Sequence, residues 1–214
     1  RFNNSLKFLK NQLGRKKIGN IISVRCEVGQ NLKDWRSTVH YSKSVSAKKN
    51  LGGGVLRELS HDIDYIIWLF GKIKWIKSSI YKKSKLNIDV EDTVFLNLGA
   101  YSGNKDTLVN LNMDFTRHDK IRQCIIIGEK GTLKWNGFAN RVDIFSEKIK
   151  KWKMIYKSNQ TILEMYKDEW KYIFNLIKNK NIYFNNPIDS LHVLEVIEAA
   201  EKSNSRKGLE IKIK

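Results

Sequence analysis

The feature that most constrains this chain is a run of three glycines, Gly52–Gly54, followed directly by a helical pattern that ends at Gly71. Glycine permits positive φ and close backbone approach, so the triplet indicates a turn made for close approach rather than for packing. One side of the predicted helix is apolar, which indicates a face packed on a core. Its apolar positions are Val55, Leu56, Leu59, Ile63, Ile66, Ile67 and Phe70.

The opposite side of this helix carries groups that exchange protons or form hydrogen bonds. These positions are Arg57, Glu58, His61, Asp64, Tyr65 and Trp68. A solvated helix face is the simpler interpretation, and a single histidine on such a face is commonly a surface residue. The triple glycine and the cost of leaving Trp and Tyr in water favour an active site instead.

Composition predicts a folded protein without a membrane segment. At 214 residues with 41% hydrophobic content, the chain can form one large domain or two small ones. No run approaches 18 consecutive apolar residues, and no signal-peptide pattern is present. We therefore expect a soluble, cytoplasmic protein with no membrane partner.

The cysteines and the charge exclude two further classes. Cys26 and Cys124 are too few and too far apart for a disulfide framework or a zinc site, so we expect buried thiols in a reducing compartment and no metal. The net charge of +18 comes from lysines scattered through every segment. Because nucleic-acid binding requires clustered basic residues, we do not expect that function, and anionic small molecules fit better.

The remaining pattern is one of successive strands between terminal helices. A helix is predicted over residues 4–14 and an alternating strand over 21–28. Further strands are predicted over 74–81, 93–98, 107–115, 121–127, 133–135, 142–145, 152–156 and 210–213. Short links between strands indicate a largely antiparallel sheet, and the whole chain is interpreted as one α+β domain.

Two helices are predicted near the end of the chain, over residues 162–178 and 189–203. The apolar spacing of the first predicts an inward face, and that of the second predicts a packed seam. The first inward face comprises Met165, Tyr166, Trp170, Ile173, Phe174 and Ile177. The second seam comprises Leu191, Leu194, Ile197 and either Ala200 or Glu201.

Residues 29–51 form a long polar stretch without a hydrophobic period. A loop of this length within a compact domain is functional or disordered. Trp35, Arg36 and Tyr41 lie in it, and Trp and Arg are common anchors at binding surfaces. We favour a functional loop, with a mobile insertion as the alternative.

The motifs that bind dinucleotides or carry hydrolytic chemistry are missing. No G-x-G-x-x-G joins a strand to a helix, and there is no P-loop, H-E-x-x-H or G-x-S-x-G. The carboxylate pair Glu91-Asp92 is interpreted as caps or as a ligand-facing rim. Nothing in this chain holds a dinucleotide by itself.

Taken in order, several segments of the chain resemble the C-terminal domain of Gfo/Idh/MocA oxidoreductases. They are Asp34-Trp35-Arg36, Tyr41, Ser46–Lys49 running into Gly52–Gly54, His61–Tyr65, Trp68–Gly71, Asp89–Thr93, Ile127–Leu133 and Ala199–Ser203. The resemblance spans nearly the whole chain. It implies an open antiparallel sheet with helices on one face, an N-terminal Rossmann domain that is absent here, and a free sheet face that forms a homodimer or tetramer.

The resemblance also implies roles for individual residues. His61 matches the family's active-site histidine, and Glu58 takes the place where many members have Asp. Because Glu58 lies three residues before His61, both would share one face of a continuous helix, where Glu58 could orient His61 for catalysis. Gly53 and Gly54 would approach the NAD or NADP cofactor, which the missing domain mainly binds. The implied substrate-binding residues are Trp35, Arg36, Tyr41, Arg57, Asp64 and Tyr65.

Residues 1–214 are therefore expected to be the substrate-binding and dimerisation half of a longer NAD(P)-dependent oxidoreductase, inactive alone. The pair Trp35-Arg36 resembles members linked to surface-polysaccharide sugar synthesis, which implies a sugar or nucleotide-sugar substrate. The alternative is a binding or scaffold protein that kept the fold without the chemistry.

Overall fold

The computed structural model describes residues 1–102, 105–148, 150–179 and 187–213. Within these residues nine strands form one open sheet with the order β8-β7-β6-β5-β1-β4-β3-β2-β9. The strands are β1 Ile21–Gly29, β2 Lys72–Tyr81, β3 Thr93–Ser102, β4 Lys105–Asp114, β5 Ile121–Gly128, β6 Gly131–Asn136, β7 Arg141–Ser146, β8 Trp152–Lys157 and β9 Ile211–Lys212. The helices are α1 Asn4–Gly14, α2 Val55–Glu58, α3 Ser60–Phe70, α4 Ile162–Asn179 and α5 Pro187–Ser205.

The sheet is antiparallel except where β1 pairs with β4 in parallel, for example Val24 beside Val109. This confirms the predicted mixed fold and its largely antiparallel sheet. Alternation decides the two faces, because Val24, Cys26 and Val28 are buried while Ser23, Arg25 and Glu27 are more exposed. The buried side of the sheet packs under the helices.

The two cysteines face the core as register partners on β1 and β5. Their Sγ atoms lie 3.4 Å apart, and both thiols are free and buried. The prediction of buried thiols is confirmed, although 98 residues separate them in sequence. Burial and the adjacent Cys26 thiol raise the pKa of Cys124 well above its ordinary value.

The helix predicted after the glycines is interrupted. Leu59 has φ −100° and ψ 18°, which separates the single turn of α2 from α3. The expected apolar side is nevertheless buried, with Ile63 and Ile66 at 0% exposure. The apolar side therefore continues across the interruption, as the sequence predicted.

The seam predicted for α5 is confirmed in its second half and wrong in its first. Ile197 and Ala200 are buried as predicted, whereas Leu191 and Leu194 are 56% and 54% exposed. His192 is also buried and anchors the helix, because its Nε2 accepts a hydrogen bond of 2.9 Å from the Ile73 amide of β2. This hydrogen bond of His192 helps to fix which side of α5 packs on the sheet, and a count of apolar residues does not include it.

The inward face predicted for α4 is wrong, because most of its apolar side chains are exposed. Tyr166, Trp170, Phe174 and Ile177 are 53–70% exposed, and α4 has no buried residue. Its opposite side approaches the chain terminus, where Tyr172 packs edge-on against Phe2. The period of the sequence locates an apolar stripe, and within the described residues nothing covers it.

The segment predicted as a functional loop is folded into successive 3₁₀ turns. These are Leu32–Asp34, Tyr41–Lys43, Val45–Ala47 and Lys49–Leu51. Leu32 and Ala47 are buried and attach the segment to the core.

Glu91 and Asp92 act as caps, as one of the sequence interpretations held. Glu91 accepts a hydrogen bond from the Leu56 amide at the start of α2. Burial is the largest influence on Glu91 and raises its pKa. Asp92 accepts hydrogen bonds from the backbone of residues 83 and 84 and from the hydroxyls of Ser84 and Thr93. Burial alone would raise the pKa of Asp92, but these hydrogen bonds outweigh it and lower the pKa.

Candidate active site

The connection from β4 to β5 and the turn from β6 to β7 lie at the same end of the sheet. Gly29 at the end of β1 pairs with Asp114 at the end of β4 and with Ile121 at the start of β5. In the other half of the sheet, Asn136 at the end of β6 pairs with Arg141 at the start of β7. Because paired residues lie side by side, the turn between β6 and β7 lies at the same end as the start of β5.

A cleft of about 560 Å³ opens at this end between α3, β5 and the start of α4. Its volume lies within the usual range for small-molecule sites. Apolar and aromatic groups alternate with amides and charges along its walls. The lining residues are Arg1, Asn3, Leu6, His61, Asp64, Tyr65, Arg122, Trp135, Gly137, Phe138, Asn140, Gln160, Thr161, Ile162, Met165 and Tyr166.

His61 is an exposed titratable group in the wall, with 50% of its side chain accessible. Its Nε2 lies 3.1 Å from Oδ2 of Asp62, a carboxylate with no exposed surface. Arg122 completes the group, since its Nη2 lies 3.2 Å from the same oxygen and its Nε donates to Oδ1 at 3.3 Å. A buried carboxylate therefore lies between an imidazole and a guanidinium.

Tyr65 does not lie on the polar face as the sequence predicted. It is 2% exposed, and its ring packs edge-on against Trp135 with centroids 5.3 Å apart. Burial raises the pKa of Tyr65 well above its ordinary value, and the nearby Cys26 and Asp62 add to this effect. Tyr65 therefore packs into the core and forms the floor of the cleft.

The floor is held by a hydrogen-bond chain from α1. Trp135 Nε1 donates to the Ser5 hydroxyl at 2.8 Å, and that hydroxyl donates to Asn3 at 2.7 Å. Asn3 is also the N-cap of α1, because its side chain accepts from the Leu6 amide. The same residues therefore begin the helix and fix an indole in the cleft.

Asp64 lines the cleft as predicted, but its carboxylate already has a partner. Arg1 donates to it through Nε at 3.0 Å and through Nη2 at 2.7 Å. The same guanidinium also reaches Asp189 of α5 at 3.0 Å. This bidentate arrangement ties the first residue to α3 and α5.

Arg57 and Glu58 do not line the cleft. Arg57 is exposed and forms an ion pair with Glu201 of α5 at 2.6 Å. In the part of the chain that the structure describes, Glu58 forms no hydrogen bond or ion pair with His61. The two residues lie in the turn before Leu59, so the expected proximity along one continuous helix is lost.

Gly53 and Gly54 approach other parts of this chain closely. A Cβ at Gly53 would overlap the Val45 carbonyl oxygen, and one at Gly54 would overlap the Glu91 carboxylate. Gly54 also has φ +115°, which side chains disfavour. The expected positive φ and close approach are confirmed, but the approach is to this chain's own groups, so the expectation that the triplet does not serve packing is wrong. The cofactor-binding role of Gly53 and Gly54 remains a prediction.

The three predicted loop residues do not line the cleft with His61. Trp35 packs edge-on against Phe115, and the hydroxyl of Tyr41 accepts a hydrogen bond from the Asn87 amide at 3.2 Å. Arg36 is exposed beside an open depression formed by residues 33 and 36–41. Their substrate-binding roles remain predictions.

Sequence reasoning overlooked Asp62 and Arg122. Arg122 lies in phase with the core positions Cys124 and Ile126 on β5, so an arginine on the inward side of the strand was the available signal. Asp62 carried a comparable signal, because it lies three residues after Leu59 and four before Ile66, which are both buried.

The described residues contain no group of three or more His, Cys, Asp or Glu side chains arranged to hold a metal ion. None of the helices in the same residues is long and apolar enough to cross a membrane.

One open sheet with helices over one face makes this chain a two-layer α/β domain. Residues 10–213 match the family model described as "Oxidoreductase family, C-terminal alpha/beta domain". The chain belongs to the Gfo/Idh/MocA family of oxidoreductases.

Solved structures share the fold at low sequence identity. Levoglucosan dehydrogenase in complex with NADH has 16% identity and a TM-score of 0.85, over 100% of this chain and 64% of that chain. The WlbA dehydrogenase from Bordetella pertussis, solved with NADH and UDP-GlcNAcA, has 20% identity and a TM-score of 0.72, over 99% and 60%. A putative oxidoreductase from Thermotoga maritima has 18% identity and a TM-score of 0.75, over 100% and 61%.

The present chain therefore spans less than two thirds of the length of these proteins. Comparison with curated proteins finds no match. At these identities the structural similarity establishes the fold, and the chemistry has to be argued from the cleft.

Proposed function

We propose that this chain is the substrate-binding part of an NAD(P)-dependent oxidoreductase acting on a hydroxyl or carbonyl of a sugar or nucleotide sugar. The observation that carries the proposal is the half-exposed His61 in the wall of a cleft of about 560 Å³. Relatives solved with NADH and a sugar or nucleotide sugar support the same class. A role in surface-polysaccharide synthesis rests on the resemblance at Trp35-Arg36 and belongs to the proposal.

The walls of the cleft suit a sugar. Phe138 and Tyr166 offer aromatic surface to the apolar faces of a sugar ring. The amides of Asn140 and Gln160 also border the cleft, where they already form hydrogen bonds with Asn3 and Asp168. Arg122 gives the cleft a positive group that fits a carboxylate or phosphate on the substrate. The alternation of aromatic, amide and cationic groups favours a polar ring over a purely apolar ligand.

His61 is proposed as the group that exchanges the hydroxyl proton. When a sugar hydroxyl is oxidised to a carbonyl, its proton needs an acceptor whose ordinary pKa lies near neutrality, and imidazole provides one. The bound nicotinamide supplies the hydride acceptor in this class of reaction. In this chain the cleft residues bind the sugar, and His61 takes or returns the proton.

The dinucleotide is proposed to be held by another domain of a longer protein, as NAD or NADP. The glycine triplet is occupied by internal contacts, and no dinucleotide fingerprint occurs in the sequence. Ile162 and Tyr166 of α4 border the cleft. The exposed apolar stripe of α4 continues from them to Trp170 and Phe174. A domain that brings a nicotinamide to His61 would cover this stripe.

The free sheet face is proposed to join copies of the protein into a dimer or tetramer. Phe95 and Leu108 lie on neighbouring strands of that face and are 44% and 52% exposed. Exposed apolar groups of this size on a sheet face are typical of an interface. Sedimentation velocity of wild type and Leu108→Lys tests this part, and an unchanged monomer in both would contradict it.

The test of the function uses the protein extended upstream of Arg1, with a panel of sugars and nucleotide sugars and NAD(P)H absorbance as the signal. Oxidation that His61→Ala lowers by about 100-fold or more, with cofactor binding unchanged, is the expected result. The 214-residue chain alone is expected to show no turnover. An extended protein that binds neither cofactor nor sugar would instead indicate a scaffold protein with this fold.

A further inference from the structure

The carboxylate of Asp62 is the buried charge that the proposed function does not yet explain. Its side chain has no exposed surface, although it lies in the first turn of α3 at the mouth of a cleft. Burying a carboxylate is costly unless cationic or hydrogen-bonding partners compensate. Within the described residues these partners are Arg122 and His61, on two different elements.

The two oxygens of Asp62 are used differently. Oδ1 accepts a hydrogen bond from Arg122 Nε at 3.3 Å. Oδ2 lies 3.1 Å from His61 Nε2 and 3.2 Å from Arg122 Nη2, yet neither approach is aligned as a hydrogen bond, so this buried oxygen has no hydrogen-bond partner. One oxygen is therefore bound to Arg122, and the other can accept a proton-bearing nitrogen of the imidazole.

We infer that Asp62, held by Arg122, is the positioning residue for His61. A small rotation of the imidazole from the observed position would bring Nε2–H onto Oδ2 and leave Nδ1 as the nitrogen available to the cleft. This role rests on the proposed function, because positioning matters for catalysis only if His61 exchanges the substrate proton.

The charges of the group support this role. An imidazole that accepts a proton becomes positive, and a carboxylate about 3 Å away in a poorly solvated site stabilises that charge. Arg122 offsets the negative charge of Asp62 while His61 is neutral, so the carboxylate can stay buried through the cycle. Arg122 itself packs over the rings of Tyr65 and Trp135, at 5.9 and 5.7 Å, which restricts its position.

The same geometry assigns the positioning role to Asp62 instead of Glu58. Glu58 belongs to α2, before the interruption at Leu59, and contacts His61 through no hydrogen bond or ion pair in the described structure. Asp62→Asn and Glu58→Gln are therefore expected to give opposite results in the same experiment, so the two variants form a matched pair.

The first arm of the test needs no activity and uses the 214-residue chain. At about pH 9, where a free imidazole is neutral, ¹⁵N chemical shifts of the ring nitrogens report which nitrogen of His61 carries the proton. Wild type and Glu58→Gln are expected to show one tautomer with the proton on Nε2. Asp62→Asn is expected to show a tautomer mixture, because an amide presents either an acceptor or a donor. A single tautomer retained in Asp62→Asn, with circular dichroism unchanged, overturns the inference.

The second arm measures sugar oxidation by the extended protein. Asp62→Asn is expected to lower kcat by about 10-fold or more with little change in KM, because the carboxylate touches His61 and not the substrate. Arg122→Lys is expected to retain more of kcat than Arg122→Gln, since it keeps the positive charge.

A kcat equal to wild type in Asp62→Asn, or a loss in Glu58→Gln instead, refutes the role of Asp62. Absence of sugar oxidation in the wild-type extended protein refutes the proposed function, and the ¹⁵N shifts still decide whether Asp62 orients His61.

Discussion

Replacement of Gly54 by alanine tests whether the glycine triplet serves the protein's own packing. Gly54 has φ +115° and ψ 148°, a conformation that costs a side-chain residue about 1–3 kcal/mol. The added Cβ would also overlap the Glu91 carboxylate, which caps α2 through the Leu56 amide, and losing such a cap costs about 1 kcal/mol. The sum is a destabilisation of about 2–4 kcal/mol.

For a chain of this size, that loss corresponds to a fall in Tm of about 4–16 °C. The measurement is thermal or urea unfolding of the 214-residue chain, followed by circular dichroism and tryptophan fluorescence. Gly52→Ala is the matched control, because Gly52 has φ +79° but no atom lies within 4 Å of an added Cβ. Its expected cost is the left-handed backbone alone, about 1–2 kcal/mol.

A double-mutant cycle separates the two contributions. In a Glu91→Ala background the overlap disappears, so Gly54→Ala is expected to cost about 1 kcal/mol less than in wild type. If Gly54→Ala destabilises the chain no more than Gly52→Ala, and the cycle shows no coupling to Glu91, the packing role is refuted. The triplet would then again be free to serve a ligand.

Three further predictions concern buried polar groups. The pKa of Asp92 is lowered in the folded state, so its contribution to stability is present above its ordinary pKa and is lost as pH falls through the folded value. Asp92→Asn is therefore expected to destabilise the chain at pH 7 and to differ less from wild type in urea titrations at acid pH. The pKa of Glu91 is raised in the folded state, so its ionisation lowers stability as pH rises from the ordinary pKa through the folded pKa. The stability of Glu91→Gln relative to wild type should therefore improve over that pH window. A stability difference that stays constant over the window would contradict the raised pKa. Ser5→Ala leaves the buried Trp135 N–H without its acceptor and is expected to cost about 1–3 kcal/mol in urea unfolding, whereas Ser5→Thr, which keeps a hydroxyl, should cost less.

The fold class followed from local patterns because each local pattern has a physical cause within a few residues. Alternation at 21–28 predicted β1, and the short links between later strands predicted an antiparallel sheet, since hairpins need only a few residues. The one parallel pair, β1 with β4, could not be read from spacing because about 75 residues separate the two strands, from residue 29 to residue 105.

The helical stripe of α4 illustrates a different limit. The period of Tyr166, Trp170, Phe174 and Ile177 specified which residues share a face, and they do share one. Whether that face is buried depends on what packs against it, and this is a property of the assembled protein rather than of the period. For α5, the buried side follows His192 and its hydrogen bond to β2, which a count of apolar residues ignores.

The sequence by itself determined the largely antiparallel sheet, the helix after the glycine triplet and the candidate histidine, His61, because strand alternation, helical period and motif order are local along the chain. Only the tertiary structure decided the surroundings of His61. The interruption at Leu59 separated Glu58 from α3, packing against Trp135 buried Tyr65, and folding placed Arg122 of β5 against Asp62 across 60 residues. A buried charge takes its partner from whichever element packs beside it, and that choice is made by the sheet order, which no single segment encodes.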